Sequence, residues 1–228
     1  MAVGDVKERY LDQMSTRFTP EEVLSAAQGT RRRSIEILRS LNETQAALPV
    51  LTCPGWSVKD LTCHMFGVAD DILNGRLDNV GSDAWTAEQV ARHTPKSLAE
   101  ICDDWESSSA DFDTFVLSIP SPSNLQVVMD LVTHEHDIRL ALNQQGCQDS
   151  DSVTIGLEYL LGHLRHENPE LLSLLDKLDL SDFEMLRVLS GRRSLRQLEE
   201  MGIDGSLIHQ RLEGSPMSIS DVDIDEVE

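Results

Sequence analysis

Three polar side chains fall where helical periodicity requires core residues. His64 directly precedes Met65, on the face that carries Leu61 and Val68. Asp130 and His134 are spaced i, i+4, which stacks them one turn apart on the side of a helix that also carries Val127, Leu131, Ile138 and Ala141. Two facing helices would then aim an imidazole, a carboxylate and a second imidazole at one point. Neutral imidazole and carboxylate are donors that zinc accepts, so the set reads as three protein ligands for a divalent metal with a fourth position open. On spacing alone, a hydrogen-bonded core histidine and an ordinary Asp–His intrahelical pair account for the same residues.

The neighbouring residues sort by geometry. Thr133-His134-Glu135-His136-Asp137 resembles the start of a zinc-protease motif, but H-E-x-x-H needs a histidine where Ile138 stands. His136, two residues from His134, points about 200° round a helix and reads as a rim or supporting group. Asp137, three residues after His134, is placed to orient that imidazole through its other nitrogen. Cys53, Cys63, Cys102 and Cys147 form no C-x-x-C pair and read as reduced thiols, with Cys53 and Cys63 as small buried residues. His163 and His166, spaced i, i+3, are the weaker candidate for a second metal pair.

The elements that must hold these residues are helical. Thr19-Pro20-Glu21-Glu22 combines a capping box with proline at the first helical position and predicts a helix over roughly 20–42. Ser57 to Asp60 caps a second, ending near Asn74-Gly75. After a loop rich in Asn, Asp, Gly and Ser, Ser97 to Glu100 caps a third, with an interruption foreseen at Ser107 to Ser109. Leu125 to Asn143 reads as a fourth, closed by Gly146. Burying four such stripes against one another makes a bundle. Shorter helices follow at roughly 151–166, 169–178, 182–190 and 194–201. The predicted organisation is a bundle over residues 1–148, a small helical region over 149–214 and an acidic, mobile tail over 215–228.

Forty acids against nineteen lysines and arginines give a net charge of −21, a field that repels phosphate backbones and anionic lipid. Neither nucleic acid nor membrane is an expected partner. The chain lacks a long apolar run and a leader-like N-terminus, so a cytoplasmic protein is expected. Arg31-Arg32-Arg33 reads as a solvated face, and Trp56 as packing on the helix cap.

Cys53-Pro54-Gly55-Trp56-Ser57-Val58-Lys59-Asp60-Leu61-Thr62-Cys63-His64 resembles the motif that opens the second helix in the mycothiol-dependent maleylpyruvate isomerase family, a branch of the DinB-like four-helix metalloproteins. Asp130 to Arg139 resembles the family's second signature, an acid, three residues, a metal-binding histidine and then Asp-Ile. Gly191-Arg192-Arg193-Ser194 resembles a segment of its actinobacterial members. The resemblance implies an all-α, DinB-like four-helix bundle with a short helical C-terminal extension, and a divalent metal, zinc as first choice, on His64, Asp130 and His134. Asp130 stands where several members have glutamate. Between Pro169 and Asp182 the chain is too short and helix-like for the mixed α/β, sterol-carrier-like C-terminal domain of the full-length isomerase.

The resemblance further implies mycothiol as thiol cosubstrate, its bound thiolate attacking a small electrophilic substrate in an isomerisation or S-transfer. Arg192, Arg139 and Arg193 are candidates for pairing with an anionic substrate or the thiol's sugar, with surface ion pairs as the alternative role. The expected catalytic set is Arg139, Arg192 and Asp137. Two other functions remain open: a related hydrolase using metal-bound water, and a metal-binding interaction module without catalysis.

Overall fold

Small polar caps punctuate the chain and set where its helices begin. Thr19 accepts the Glu22 backbone N–H while the Glu22 carboxylate accepts the Thr19 N–H, with Pro20 at the first helical position. The same reciprocal box pairs Ser57 with Asp60 and Ser97 with Glu100. The computed structural model describes residues 17–226. Over these the order is α1 (Pro20–Arg39), α2 (Glu43–Ala46), α3 (Val58–Leu73), α4 (Asp83–His93), α5 (Leu98–Ser107), α6 (Ser109–Ser118) and α7 (Ser123–Ala141). Then come α8 (Asp151–Glu167), α9 (Pro169–Leu175), α10 (Asp182–Leu189), α11 (Leu195–Glu200) and α12 (Gly205–Leu212). The start of the predicted first domain and the last two residues of the predicted tail lie outside the described residues.

The fold is all-α, the four-helix bundle that the resemblance implies, in which α1, α3, α5 with α6, and α7 enclose a core that includes Val23, Leu38, Leu61, Trp105, Phe112 and Leu125. A second core joins α8 to the later helices through Leu160, Leu164, Leu171, Leu186 and Leu198. Helix α7 belongs to both. Its Leu125, Val128, Leu131 and Ile138 face the bundle, and its Met129 and Val132 face the second core. Gly156 of α8 makes the crossing close, since a Cβ there would lie 3.0 Å from the Met129 Cα. A helix packed on two sides has little room for a solvated stripe. Every residue from Leu131 to Ile138 is accordingly buried, His134, Glu135, His136 and Asp137 among them. Each of these polar groups then needs an internal partner or a packing role.

The structure departs from the sequence expectations at several places. The stretch read as a loop contains α4, whose buried positions are Trp85, Gln89 and His93. Two of the three are polar, so the face shows no apolar periodicity. Helix α12, capped by Asp204, was likewise not foreseen and buries only Ile208 and Leu212. Of the three consecutive arginines, only Arg32 is solvated; Arg31 pairs with Asp113 and Arg33 with Glu135. The acidic tail is not free over its described part. Ile224 is buried, its backbone N–H and C=O are both bonded by the Gln197 side chain, and Asp223 and Glu226 pair with Arg196 and with Arg187 and Arg193. Acids that look solubilising by composition here meet a basic run on α10 and α11. Among the described residues no helix is long and apolar enough to cross a membrane.

Candidate metal centre

Helix α3, fixed at its start by the Ser57 cap, carries His64 into the bundle, and two successive turns of α7 carry Asp130 and His134 against it. One ligand atom from each of the three lies within 4.8 Å of the other two. Asp130 Oδ1 is 3.5 Å from His134 Nε2 and 3.9 Å from His64 Nε2, and the two imidazoles meet edge to face with centroids 5.2 Å apart. A tetrahedral ion with bonds of about 2.05 Å has ligands roughly 3.3 Å apart. In the cluster the carboxylate oxygen stands a few tenths of an ångström beyond that separation from each imidazole, and the two imidazoles offer nitrogens within 4.8 Å of each other, so the cluster would have to contract to close on such an ion. The donor chemistry, two imidazoles and one carboxylate, is the right kind.

Both imidazoles have a partner on the nitrogen that faces away from the cluster. Nδ1 of His134 is 3.1 Å from Asp137 Oδ2, and Nδ1 of His64 is 2.8 Å from Gln89 Oε1. Asp137 is fully buried and accepts from Arg187 Nη1 at 2.7 Å and Arg192 Nη2 at 2.9 Å. Burial alone would raise its pKa, but Arg192, Arg187 and the His134 ring hold the carboxyl well below the usual range. An ionised carboxylate only accepts, so His134 presents its proton to Asp137 and its Nε2 lone pair to the cluster. Burial opposes charge on His64, yet the adjacent Asp130 carboxylate raises its pKa; Asp130 is lowered in turn, against its own burial, by the two imidazoles.

A second group of donors, Cys53, His134 and Asp137, lies behind the first. It is a poor cation site. Arg192 reaches both Cys53 Sγ, at 3.9 Å, and Asp137, so positive charge already occupies the spot. Burial, then the Asp137 charge, pushes the Cys53 thiol up to about 12, which keeps it protonated. All four cysteines are free thiols.

The cluster opens on a cavity of about 940 Å³ whose wall includes Trp56, Met65, Val68 and Arg192. Trp56 is more than cap packing, because its ring lies 5.4 Å from that of His64. Of the predicted catalytic residues, Arg192 borders this cavity and Asp137 stands behind His134. Arg139 is not brought to the site: it donates to Glu135 and to the Gln145 carbonyl, beside Arg33, which shares Glu135. Arg193 is likewise spent on Glu184 and Glu226. His136 is neither rim nor support. It packs on Phe183 with centroids 4.5 Å apart, and burial, with Arg187 and Arg139 nearby, pushes its pKa down to about 3. The loop after α7 seals it in, since a Cβ on Gly146 would fall 2.4 Å from the ring. His163 meets Tyr159 edge to face; the side chain of His166 lies outside what is described. The residues that sequence reasoning missed are Gln89 and Arg187. Gln89 sits on the unforeseen helix, and Arg187 is one arginine in a basic run whose burial no local pattern announces.

Compared with known families, residues 27–140, half of the 228-residue chain, match the mycothiol maleylpyruvate isomerase N-terminal domain. That span holds the three clustered donors together with Asp137 and Gln89, and ends before Arg187 and Arg192. Neither the curated proteins nor the solved structures gave a match. With the bundle, the motif at Ser57 and the matched span in agreement, the chain belongs to the mycothiol maleylpyruvate isomerase N-terminal domain family.

Proposed function

We propose that this protein is a metal-dependent enzyme that uses a small thiol of the mycothiol type to transform an electrophilic substrate, by isomerisation or S-transfer. The observation that carries the reading is the meeting of His64, Asp130 and His134 beside a cavity large enough for a thiol and a second small molecule. A divalent ion held there, zinc by its donor set, supplies Lewis acidity that brings a thiol's pKa toward neutrality.

The protein's own groups have separable tasks. His64, Asp130 and His134 hold the ion, and Asp137 keeps the His134 lone pair turned toward it. Arg192, anchored on Asp137, contributes fixed positive charge at the cavity wall, where an anionic thiol or substrate would gain from it. Trp56, Met65 and Val68 give the reacting groups an apolar wall that limits water.

The first test is metal content of the purified full chain. One divalent ion per chain is expected, and its loss in both His64→Ala and His134→Ala; a metal-free protein after zinc loading overturns the reading. The second is titration of the zinc-loaded protein with mycothiol, followed by tryptophan fluorescence and calorimetry. Saturable binding is expected. Zinc without thiol binding overturns the thiol assignment and favours a hydrolase using water.

A further inference from the structure

The His64 imidazole meets a carboxamide on its Nδ1 side, where the His134 ring meets a carboxylate. A carboxamide is ambiguous, because Gln89 could in principle offer its oxygen or its nitrogen to the ring. The surroundings remove the ambiguity. Gln89 is wholly buried, and its Nε2 lies 3.0 Å from Oδ2 of Asp71, a carboxylate that is itself fully buried on α3. Arg76 Nε donates to Asp71 Oδ1 at 2.6 Å, and Arg92 donates to the same oxygen. A carboxylate facing two guanidinium groups can only accept. It therefore takes the NH₂ side of Gln89, which leaves Oε1 for His64, and Oε1 can only accept from Nδ1–H.

We infer that Gln89 is a positioning residue for the metal centre: the chain Arg76 and Arg92, Asp71, Gln89 fixes His64 as its Nδ1–H tautomer and so turns the Nε2 lone pair toward Asp130 and His134. The backbone is shaped for this contact. Gly67 lies one turn after His64 on α3, and a Cβ there would fall 2.6 Å from Gln89 Cβ and 2.9 Å from its Cγ. Only glycine lets α4 come close enough for the carboxamide to reach the ring.

The inference rests on the proposed metal reading for its consequence but not for its geometry, and the experiment separates the two. In metal-free wild-type protein, nitrogen-15 NMR of the histidine rings, recorded at a pH where His64 is neutral and assigned with His64→Ala, is expected to show its proton on Nδ1. A proton on Nε2 overturns the inference whatever the metal does. Gln89→Met keeps the volume and removes the acceptor. Zinc affinity by chelator competition is expected to fall about 10- to 100-fold in this variant, with His64 shifting toward a tautomer mixture and helix content unchanged. Wild-type affinity in a folded Gln89→Met protein overturns the inference. A wild-type protein that binds no zinc overturns the proposed function instead, and the tautomer measurement then decides the inference alone.

Discussion

Asp137 joins the metal centre to two buried arginines, and the outcome of removing it follows from that. It takes two guanidinium groups and one imidazole in a place without solvent. Asp137→Ala leaves the buried Arg192 without its carboxylate and Arg187 with Glu226 alone, and stability is expected to drop by about 3–5 kcal/mol in denaturant titrations. Loss of a supporting bond to His134 alone would cost only about 1 kcal/mol, so the size of the drop separates the two roles. The donors His64, Asp130 and His134 are legible in the sequence because a polar residue in an apolar register is conspicuous. Their supports are less so. Asp137 shows itself through a spacing of three on one helix, whereas Gln89 stands 25 residues from His64 and Arg187 stands 50 from Asp137. No periodicity links residues that meet only through the fold.

At the scale of elements, capping chemistry made most helix starts readable, and buried polarity hid one helix. Thr19, Ser57 and Ser97 announce α1, α3 and α5 because their boxes are local. Helix α4 escapes because the face it buries carries Gln89 and His93, which a hydrophobic pattern cannot register. Two changes test these elements. Gly67→Ala must push α4 away from α3, and although alanine gains about 1 kcal/mol of helix propensity, the overlap is expected to cost about 1–3 kcal/mol, so the melting temperature falls. An unchanged or raised melting temperature would show that the crossing is loose. Ser57→Ala removes the α3 cap at a cost of about 1 kcal/mol, read by the denaturation midpoint, with no comparable loss from Ser40→Ala beyond the end of α1.

For the molecule as a whole, the large negative charge conceals an internal order in which acids are spent on arginines. Glu158 is one such case, paired with Arg17 and Arg165. Burial alone raises its pKa, but Arg165 and Arg17 bring it below the ordinary value. A folded pKa below the unfolded one means stability that is complete above about pH 4.5 and is lost as pH falls through the folded value. Thermal melts from pH 7 to pH 3 should therefore decline more steeply for the wild type than for Glu158→Gln, and parallel curves would count against the pairing. The tail is a second case of acids spent on arginines. Its composition reads as solvated because acid count carries no trace of where the matching bases lie, yet Asp223 and Glu226 close over Arg187, Arg193 and Arg196. Ending the chain after Gly214 is expected to lower the melting temperature by about 5 °C. Because α7 serves as the party wall between two interiors, the part that carries the metal donors is expected not to be portable: severed after residue 148, it would leave Met129 and Val132 bare and Asp137 stranded from its counter-cations, an exposed face that favours aggregation.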